Sequence, residues 1–181
     1  MPPQASPGLH MAQPLPLATS PQPLYFPVST TKLVAMSLCT LGIYGTYWFY
    51  KNWALIKARE QSTISPVWRS LLEFFFCYPC LARIRATAKE NQLDVSLSAG
   101  PLTAGFILAG LLGSAPAPCW QLSTLAVFFL VPAQTAANRI NAVLAPGHDE
   151  NRTFSAINIV TVAIGGGLTL ASMIWAFLPV G

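Results

Sequence analysis

The feature that most constrains this chain is an uncharged stretch of 18 residues, Leu33 to Tyr50, bounded by Lys32 and Lys51. As a helix rising about 1.5 Å per residue it would be about 27 Å long, close to the thickness of the hydrocarbon core of a bilayer. Aromatic residues gather at its second end, as in the belt where a spanning helix meets lipid headgroups: Tyr44, Tyr47, Trp48, Tyr50 and Trp53. The stretch predicts a first transmembrane helix, 33–50, with an interfacial aromatic belt.

The composition supports the same class. Charged residues make up 9% of the 181 positions and apolar residues 53%, whereas soluble domains carry roughly 25% charged residues. The net charge of +4 is spread beside apolar segments rather than gathered in one patch. We therefore expect an all-α, polytopic helical membrane protein whose basic residues meet anionic lipid headgroups, with no nucleic-acid partner.

The first 31 residues differ from the rest of the chain. They contain no Asp, Glu, Lys or Arg and eight prolines, so they cannot build a core, and we predict a disordered, proline-rich tail over 1–31. The start lacks the basic region of a cleavable signal peptide. The first span is accordingly expected to remain in the mature protein as a signal anchor.

The helical membrane domain is predicted over 32–178, with about four spans at 33–50, 101–117, 120–138 and 156–178. Pro116-Ala117-Pro118 is expected to form the tip between the second and third spans. Two stripes of small residues would permit close helix contact: Gly105, Ala109 and Gly113, and Ala163, Gly167 and Ala171.

The segment 66–89 is ambiguous. Ser65 is a good N-cap with Pro66 behind it, and only nine residues separate Glu73 from Arg83, too few to cross a bilayer. We predict an interfacial amphipathic helix over about 66–89, with a bent or re-entrant segment, kinked at Pro79, as the alternative. Arg69 and Glu73 lie one turn apart and are expected to form a buried ion pair.

The positions of the basic residues predict an orientation. Four spans with the N-terminus outside would place nine Lys and Arg residues inside and only Lys32 outside. Both termini are therefore expected on the outer side. A five-span arrangement with the N-terminus inside would expose Lys51, Lys57 and Arg59 outside, which fits the positive-inside rule less well.

Three stretches carry a family resemblance: T-L-G-I-Y-G-T-Y-W-F-Y-K-N-W (40–53), S-P-V-W-R (65–69) and V-P-A-Q-T-A-A-N-R-I-N (131–141). Over about 25–178 the chain resembles an uncharacterised family of small bacterial inner-membrane proteins, grouped as a domain of unknown function. The resemblance implies the bacterial inner (cytoplasmic) membrane. It implies no activity, cofactor or catalytic residue.

One polar constellation falls inside a predicted span. Gln134, Asn138 and Asn141 share a helix face, and Asn158 enters the fourth span at a similar depth, so an intramembrane cluster of amides is predicted. Polar groups in membranes often mark a substrate or ion path, but they also hold helices together by hydrogen bonds. Because no acidic residue accompanies these amides, packing is the favoured interpretation.

Other reactive residues point to no enzyme. Glu73, the only acidic residue within an apolar segment, suggests a proton relay, although pairing with Arg69 is the preferred account. The Cys77 and Cys80 pair lies in an apolar run with no second pair or strand pattern, and His148-Asp149-Glu150 reads as a solvated turn. The sequence carries no catalytic signature, so we predict neither an enzyme nor a cofactor or metal site.

The sequence thus favours a structural, accessory or interaction role in the membrane. Its partners would be the bilayer and, through the small-residue faces, a second copy or another membrane protein. The alternative is a small transporter or oligomeric channel with its polar site at the inner end of the third span.

Overall fold

The computed structural model describes residues 21–116 and 119–177, and within these ranges every regular element is a helix and none is a strand. The all-α prediction is confirmed. The seven α-helices are α1 Thr30–Cys39, α2 Ile43–Glu60, α3 Pro66–Leu71, α4 Glu73–Glu90, α5 Ala99–Leu111, α6 Val131–Leu144 and α7 Ala156–Phe177. Short 3-10 helices lie at Leu112–Ser114 and Cys119–Phe129. The first twenty residues of the predicted tail, most of the tip at 116–118 and the last residue of the predicted fourth span lie outside the described residues.

The predicted first span, 33–50, is not one helix. The chain leaves helical geometry after Cys39, where Leu41 (φ 51°) and Gly42 (φ 90°) take left-handed conformations, and α2 begins at Ile43. A left-handed backbone costs glycine little, which makes Gly42 the natural site of this turn. Phe26, four residues before α1, donates its backbone N–H to Asn52 Oδ1 at 3.1 Å. Since Asn52 lies in the middle of α2, the two helices fold back on each other as a hairpin.

The end of the predicted tail is packed rather than disordered. Tyr25, Phe26 and Val28 belong to the hydrophobic core, and Tyr25 and Val28 have no exposed surface. Ser29 then begins α1 as its N-cap, accepting a 3.2 Å hydrogen bond from the backbone of Lys32. The prediction over 21–31 is wrong because an uncharged, proline-rich composition also suits an extended segment laid across a core.

The aromatic residues of α2 form the core rather than an interfacial belt. Trp48 and Trp53 are fully buried and Tyr44 is nearly so, while Tyr47 and Tyr50 remain about two-fifths exposed. Trp48 meets Phe49 edge to face, and Phe49 meets Phe106 of α5 with ring centroids 5.5 Å apart. The belt prediction is wrong for Tyr44, Trp48 and Trp53, because other parts of the protein pack against the faces of α2 on which these rings lie.

The segment predicted as one interfacial helix over 66–89 forms two. Helix α3 ends at Leu71, and α4 begins at Glu73 and continues through Pro79 without interruption. The apolar face of α4 is buried in the core of the protein through Cys77, Cys80, Leu81 and Ile84. Helix α4 is therefore a core helix packed against α5 and α6.

Among the residues that the structure describes, two helical stretches are long and apolar enough to span a membrane. They are Cys119–Leu144, where 39% of the apolar window is buried within the protein, and Ala156–Ala176, where none is. The predicted third span, 120–138, lies inside the first stretch and is shorter than it. The predicted fourth span coincides with α7. The predicted second span corresponds to the shorter apolar helix Ala99–Ser114.

Helix α7 contacts the rest of the protein chiefly along α1. Lys32 Nζ donates to the carbonyl of Thr153 just before α7, and Cys39 lies against Gly165, so the two helices run in the same direction. A Cβ at Gly165 would overlap the Cys39 carbonyl oxygen, so this position requires glycine. In the predicted stripe, a Cβ at Gly167 would meet no atom within 4 Å. The intramolecular contact is therefore made one helical face away from the predicted stripe.

Replacing Gly165 by alanine should push α1 and α7 apart, because backbone cannot yield as a side chain can. We expect a loss of about 1–3 kcal/mol in the free energy of unfolding, measured by thermal unfolding in mild detergent. Gly167→Ala is the matched control, since its methyl group enters open space in the same helix and should leave stability equal or slightly raised. Equal effects of the two substitutions would contradict this packing.

Candidate functional site

Gln134, the first residue of the predicted amide cluster, forms hydrogen bonds with the packed segment before α1. Its Nε2 donates to the carbonyl oxygens of Phe26 at 3.1 Å and Val28 at 3.0 Å, and its Oε1 accepts the indole N–H of Trp48. Gln134 has no exposed surface. A single side chain thus binds two backbone carbonyls and one indole, and without it the Phe26 carbonyl and the Trp48 indole would be buried without partners.

The other two amides on this face of α6 act in the same way. Asn138 donates to the carbonyl oxygen of Val28 at 2.9 Å. Asn141 accepts the backbone N–H groups of Leu24 and Tyr25 at 2.9 and 3.0 Å and donates to the Tyr25 carbonyl at 2.7 Å. The three amides therefore replace the neighbouring strand that an extended segment would otherwise need for its backbone.

Asn158 lies apart from this cluster. Its Oδ1 accepts the backbone N–H of Ser155 at 3.1 Å, and the Ser155 hydroxyl accepts the backbone N–H of Asn158 at 3.3 Å. This reciprocal pair closes the first turn of α7, as a capping box does. The predicted four-residue cluster is wrong for Asn158, because its amide is used at the start of its own helix.

Tyr25 joins the extended segment to the ends of α2 and α4. Its hydroxyl donates to the Arg83 carbonyl at 3.0 Å, lies 2.8 Å from Thr87 Oγ1 and accepts from Arg59 Nη2 at 3.1 Å. Arg59 also lies over the Tyr25 ring, and Arg83 pairs with Glu60 at 2.9 Å. Burial raises the pKa of the Tyr25 hydroxyl, so this hydroxyl stays neutral and keeps its proton for the Arg83 carbonyl.

Lys32 is buried at the same end of the molecule. Only 4% of it is exposed, and its Nζ donates at 2.8 Å to Asn151 Oδ1 and at 2.8 Å to the Thr153 carbonyl. The sequence predicted Lys32 outside and the loop holding Asn151 and Arg152 inside, separated by a bilayer. Because Lys32 and Asn151 are in direct contact, that prediction is wrong.

Glu73 does not pair with Arg69. Ion pairs among the described residues join Arg83 to Glu60 and Arg152 to Glu150. The guanidinium of Arg69 instead lies over the rings of Trp53 and Phe76, 4.4 and 5.0 Å from their centroids. The predicted pair fails because Leu72 interrupts the helix between the two residues, so they are no longer one turn apart on one face.

Glu73 lines a cavity of about 240 Å³ between the α1–α2 turn, α4, α5 and the 3-10 helix Cys119–Phe129. We call it the Glu73 cavity and define it by its polar lining, Ser37, Thr46, Glu73, Ser123 and Thr124, and by apolar walls that include Phe106 and Leu130. Glu73 Oε2 and Ser37 Oγ are both buried, and neither has a hydrogen-bond partner within 21–116 and 119–177. Two orphaned oxygen atoms on one cavity make it the best candidate binding site in the described part of the chain.

Comparison with known proteins adds no function to this geometry. No protein-family model matches the chain, and neither a curated protein nor a solved structure is significantly similar to it.

The sequence marked Glu73 as unusual but not the residues around it. Ser37, Thr46, Ser123 and Thr124 lie on three separate elements, and single hydroxyl residues in apolar helices are common. A usable signal was the glycine in the L-G-I turn after Cys39, because a turn there brings Ser37 and Thr46 to the same place. Treating 33–50 as one helix hid that turn.

Gln134→Ala should release the extended segment 24–28 from α6. It would leave the Trp48 indole and the Phe26 carbonyl buried without partners, so we expect a loss of about 2–4 kcal/mol in the free energy of unfolding. The segment should also become protease-sensitive. Thr135→Ala is the control: Thr135 is exposed and bonds only to the Val131 carbonyl of its own helix. Protection of 24–28 that survives Gln134→Ala would contradict the anchoring role.

Proposed function

We propose that this chain is an integral membrane protein of the bacterial inner membrane with an accessory, structural or interaction role. The proposal depends above all on one observation, which is the separation of charge from exposed apolar surface. Apart from Glu73, the charged residues gather at one end of the helical body, and α7 and the opposite end present apolar side chains.

The exposed apolar surface is supported by α7 itself. Ile157 is 77% exposed and Trp175 is 74% exposed, and the wide apolar window of this helix has no buried residue. Each such side chain would contribute about 1.5–3 kcal/mol if it were removed from water. Lipid is a covering that suits a helix apolar on all sides. The far end adds Leu41, Ile43, Leu72 and Phe75 to the same apolar surface.

The charged end is supported by contacts between distant parts of the chain. Lys32 meets the loop after α6, Lys51 lies over Phe26, and Arg59 donates to the Leu24 carbonyl at 3.0 Å. Arg85 and Lys89 line the connection between α4 and α5. An arrangement with this end at the cytoplasmic face would place all the basic residues inside, a better fit to the positive-inside rule than the arrangement predicted from the sequence.

In this arrangement α1 and α2 form a re-entrant hairpin and residues 21–29 lie on the inner side. Helix α5, the long stretch Cys119–Leu144 and α7 would cross the bilayer, so that the last described residues emerge outside. This proposal replaces four spans with three crossings and one hairpin.

An accessory role is favoured over transport through the third span because the amides there are already occupied. The amide groups form hydrogen bonds with the backbone of 24–28 and with Trp48, and they belong to Gln134, Asn138 and Asn141. A substrate would have to displace bonds that hold the core together. Packing is a sufficient account of these residues.

An interaction role is supported by the outward face of α7. Ala163, Gly167 and Ala171 are exposed and recur every four residues, a pattern that lets two helices approach closely in lipid. We propose that this face contacts a second copy of the chain or a helix of another membrane protein.

The orientation is tested by single-cysteine labelling with a membrane-impermeant maleimide. In variants that keep one cysteine each, Gln22→Cys, Asn91→Cys and Asp149→Cys should react only from the cytoplasmic side. The exposed native Cys119 should react only from the opposite side. Labelling of Gln22→Cys from the outside would contradict the proposed orientation. Complete extraction of the wild-type protein by alkaline carbonate would contradict membrane integration.

The interaction face is tested by Gly167→Ile, which would place a branched side chain on the small-residue stripe. We expect cross-linked complexes in native membranes to fall several-fold, with little change in thermal stability. Leu168→Ile changes the neighbouring exposed position without changing volume and should leave cross-linking intact. Equal cross-linking in all three proteins would remove this face from the proposal.

A further inference from the structure

The most informative unassigned feature is the Glu73 carboxyl group, the only acidic group away from the charged end. The other five acidic residues are Glu60 and Glu90 at the ends of α2 and α4, Asp94 in the connection after α4, and Asp149 and Glu150 in the loop before α7. The two nearest arginines in sequence are occupied elsewhere: Arg69 stacks on Trp53, and Arg83 pairs with Glu60. Among the described residues, no Lys or Arg forms an ion pair with this carboxyl group.

The cavity around Glu73 offers oxygen atoms whose lone pairs are free. The Ser123 hydroxyl donates its proton to the Trp120 carbonyl at 2.7 Å, and the Thr124 hydroxyl donates to the Gln121 carbonyl at 2.8 Å. Both oxygen atoms can then act only as acceptors or ligands. Ser37 Oγ has no partner in the described chain and is 1% exposed, and Thr46 is close enough to interact with the Glu73 carboxyl group.

We infer that the Glu73 cavity binds a monovalent cation that is recognised by oxygen atoms, either an alkali metal ion or a small primary ammonium ion. One carboxylate balances one positive charge, and hydroxyl oxygens complete the coordination of a hard ion or accept the N–H groups of an ammonium. Among the described residues no three His, Cys, Asp or Glu side chains gather, so the donor set lacks the charge that a divalent metal site requires.

The dimensions of the cavity agree with such a ligand. A cavity needs about 10–15 Å³ to hold one water molecule, so a volume of about 240 Å³ has ample room for a partly hydrated ion or an ammonium with a short alkyl group. The lining also contains apolar side chains, among them Phe106, Val127 and Leu130. Apolar walls strengthen the attraction between a carboxylate and a cation by lowering the local dielectric constant.

The cavity also lies where several elements of the fold meet. Its lining comes from the α1–α2 turn, the start of α4, the second half of α5 and the 3-10 helix. A cation bound there would hold these four elements together, so occupancy should be visible as stability. The cavity is built by the protein's own helices and does not need a bilayer in order to form, so its test is separate from that of the proposed membrane role.

The test is thermal unfolding of the purified full-length protein in mild detergent at fixed ionic strength. The chlorides of sodium, potassium and methylammonium are compared with tetraethylammonium chloride, whose cation has no N–H group and cannot approach an oxygen atom closely. At saturation the unfolding temperature should rise by roughly 5 °C with a cation that binds. A response to the alkali ions alone assigns a metal ion, and a response to methylammonium alone assigns an ammonium ligand.

Glu73→Gln should abolish the response, and Glu90→Gln, which alters an exposed carboxylate at the other end of α4, should keep it. Ser37→Ala and Thr46→Val should raise the half-saturating concentration several-fold, which preserves the test if Glu73→Gln does not fold. Broadening of the sodium NMR signal by the wild-type protein but not by these variants would support the site independently.

Three results would overturn the inference. One is a wild-type protein that responds to none of the cations. Another is an equal response in Glu73→Gln and wild type. The third is a stability that changes with pH alone and never with the cation, which would mean that Glu73 is simply protonated.

Discussion

The structure depends on a requirement of the polypeptide backbone. Residues 24–28 bend at Leu24 and Tyr25 and bury Tyr25, Phe26 and Val28 in the core, where no strand among the described residues lies beside their N–H and C=O groups. Buried backbone groups without partners cost free energy comparable to a lost hydrogen bond. Amide side chains of α2 and α6 satisfy six of them: the N–H groups of Leu24, Tyr25 and Phe26 and the carbonyls of Tyr25, Phe26 and Val28. These hydrogen bonds fix the positions of α2 and α6 beside the segment 24–28.

The aromatic core is consistent with that arrangement. Trp48 is buried beside Gln134, whose Oε1 accepts a hydrogen bond from the indole N–H. The edge-to-face contacts of Phe49 continue the packing into α5. At the charged end, Tyr25 gathers Arg59, Arg83 and Thr87 around one hydroxyl. The polar network and the apolar core therefore share residues, so a substitution in one of them also destabilises the other.

Much of the helical character could be predicted from the sequence, because apolar runs and proline positions report local preferences directly. Helix α7 and the start of α3 at Pro66 were located in this way. The hairpin between α1 and α2 could not be, since one left-handed glycine inside an apolar run looks the same as a glycine within a spanning helix. The error propagated, because an unbroken helix over 33–50 placed Lys32 on the wrong side and moved Trp48 and Trp53 from the core to an interface.

The site shows a similar division. The amides of α6 were identified because their spacing defines one helix face, and their role in packing was the favoured interpretation. Their partner, the backbone of residues 24–28, could not be predicted. A proline-rich composition gives no sign that the segment will be buried and bound by side-chain amides. Glu73 was recognised as exceptional from its surroundings in the sequence. The interruption at Leu72 that separates it from Arg69 depends on tertiary packing and left no local signal.

The contacts of the segment before α1 also set an order of events during synthesis. Leu24 bonds to a residue 117 positions later, and Lys32 to a carbonyl 121 positions later. While the chain is still emerging from the ribosome, these partners do not yet exist. Residues 24–32 therefore reach these contacts only after α6 and the loop before α7 have been made. Their packing is completed late in synthesis, long after they have themselves left the ribosome.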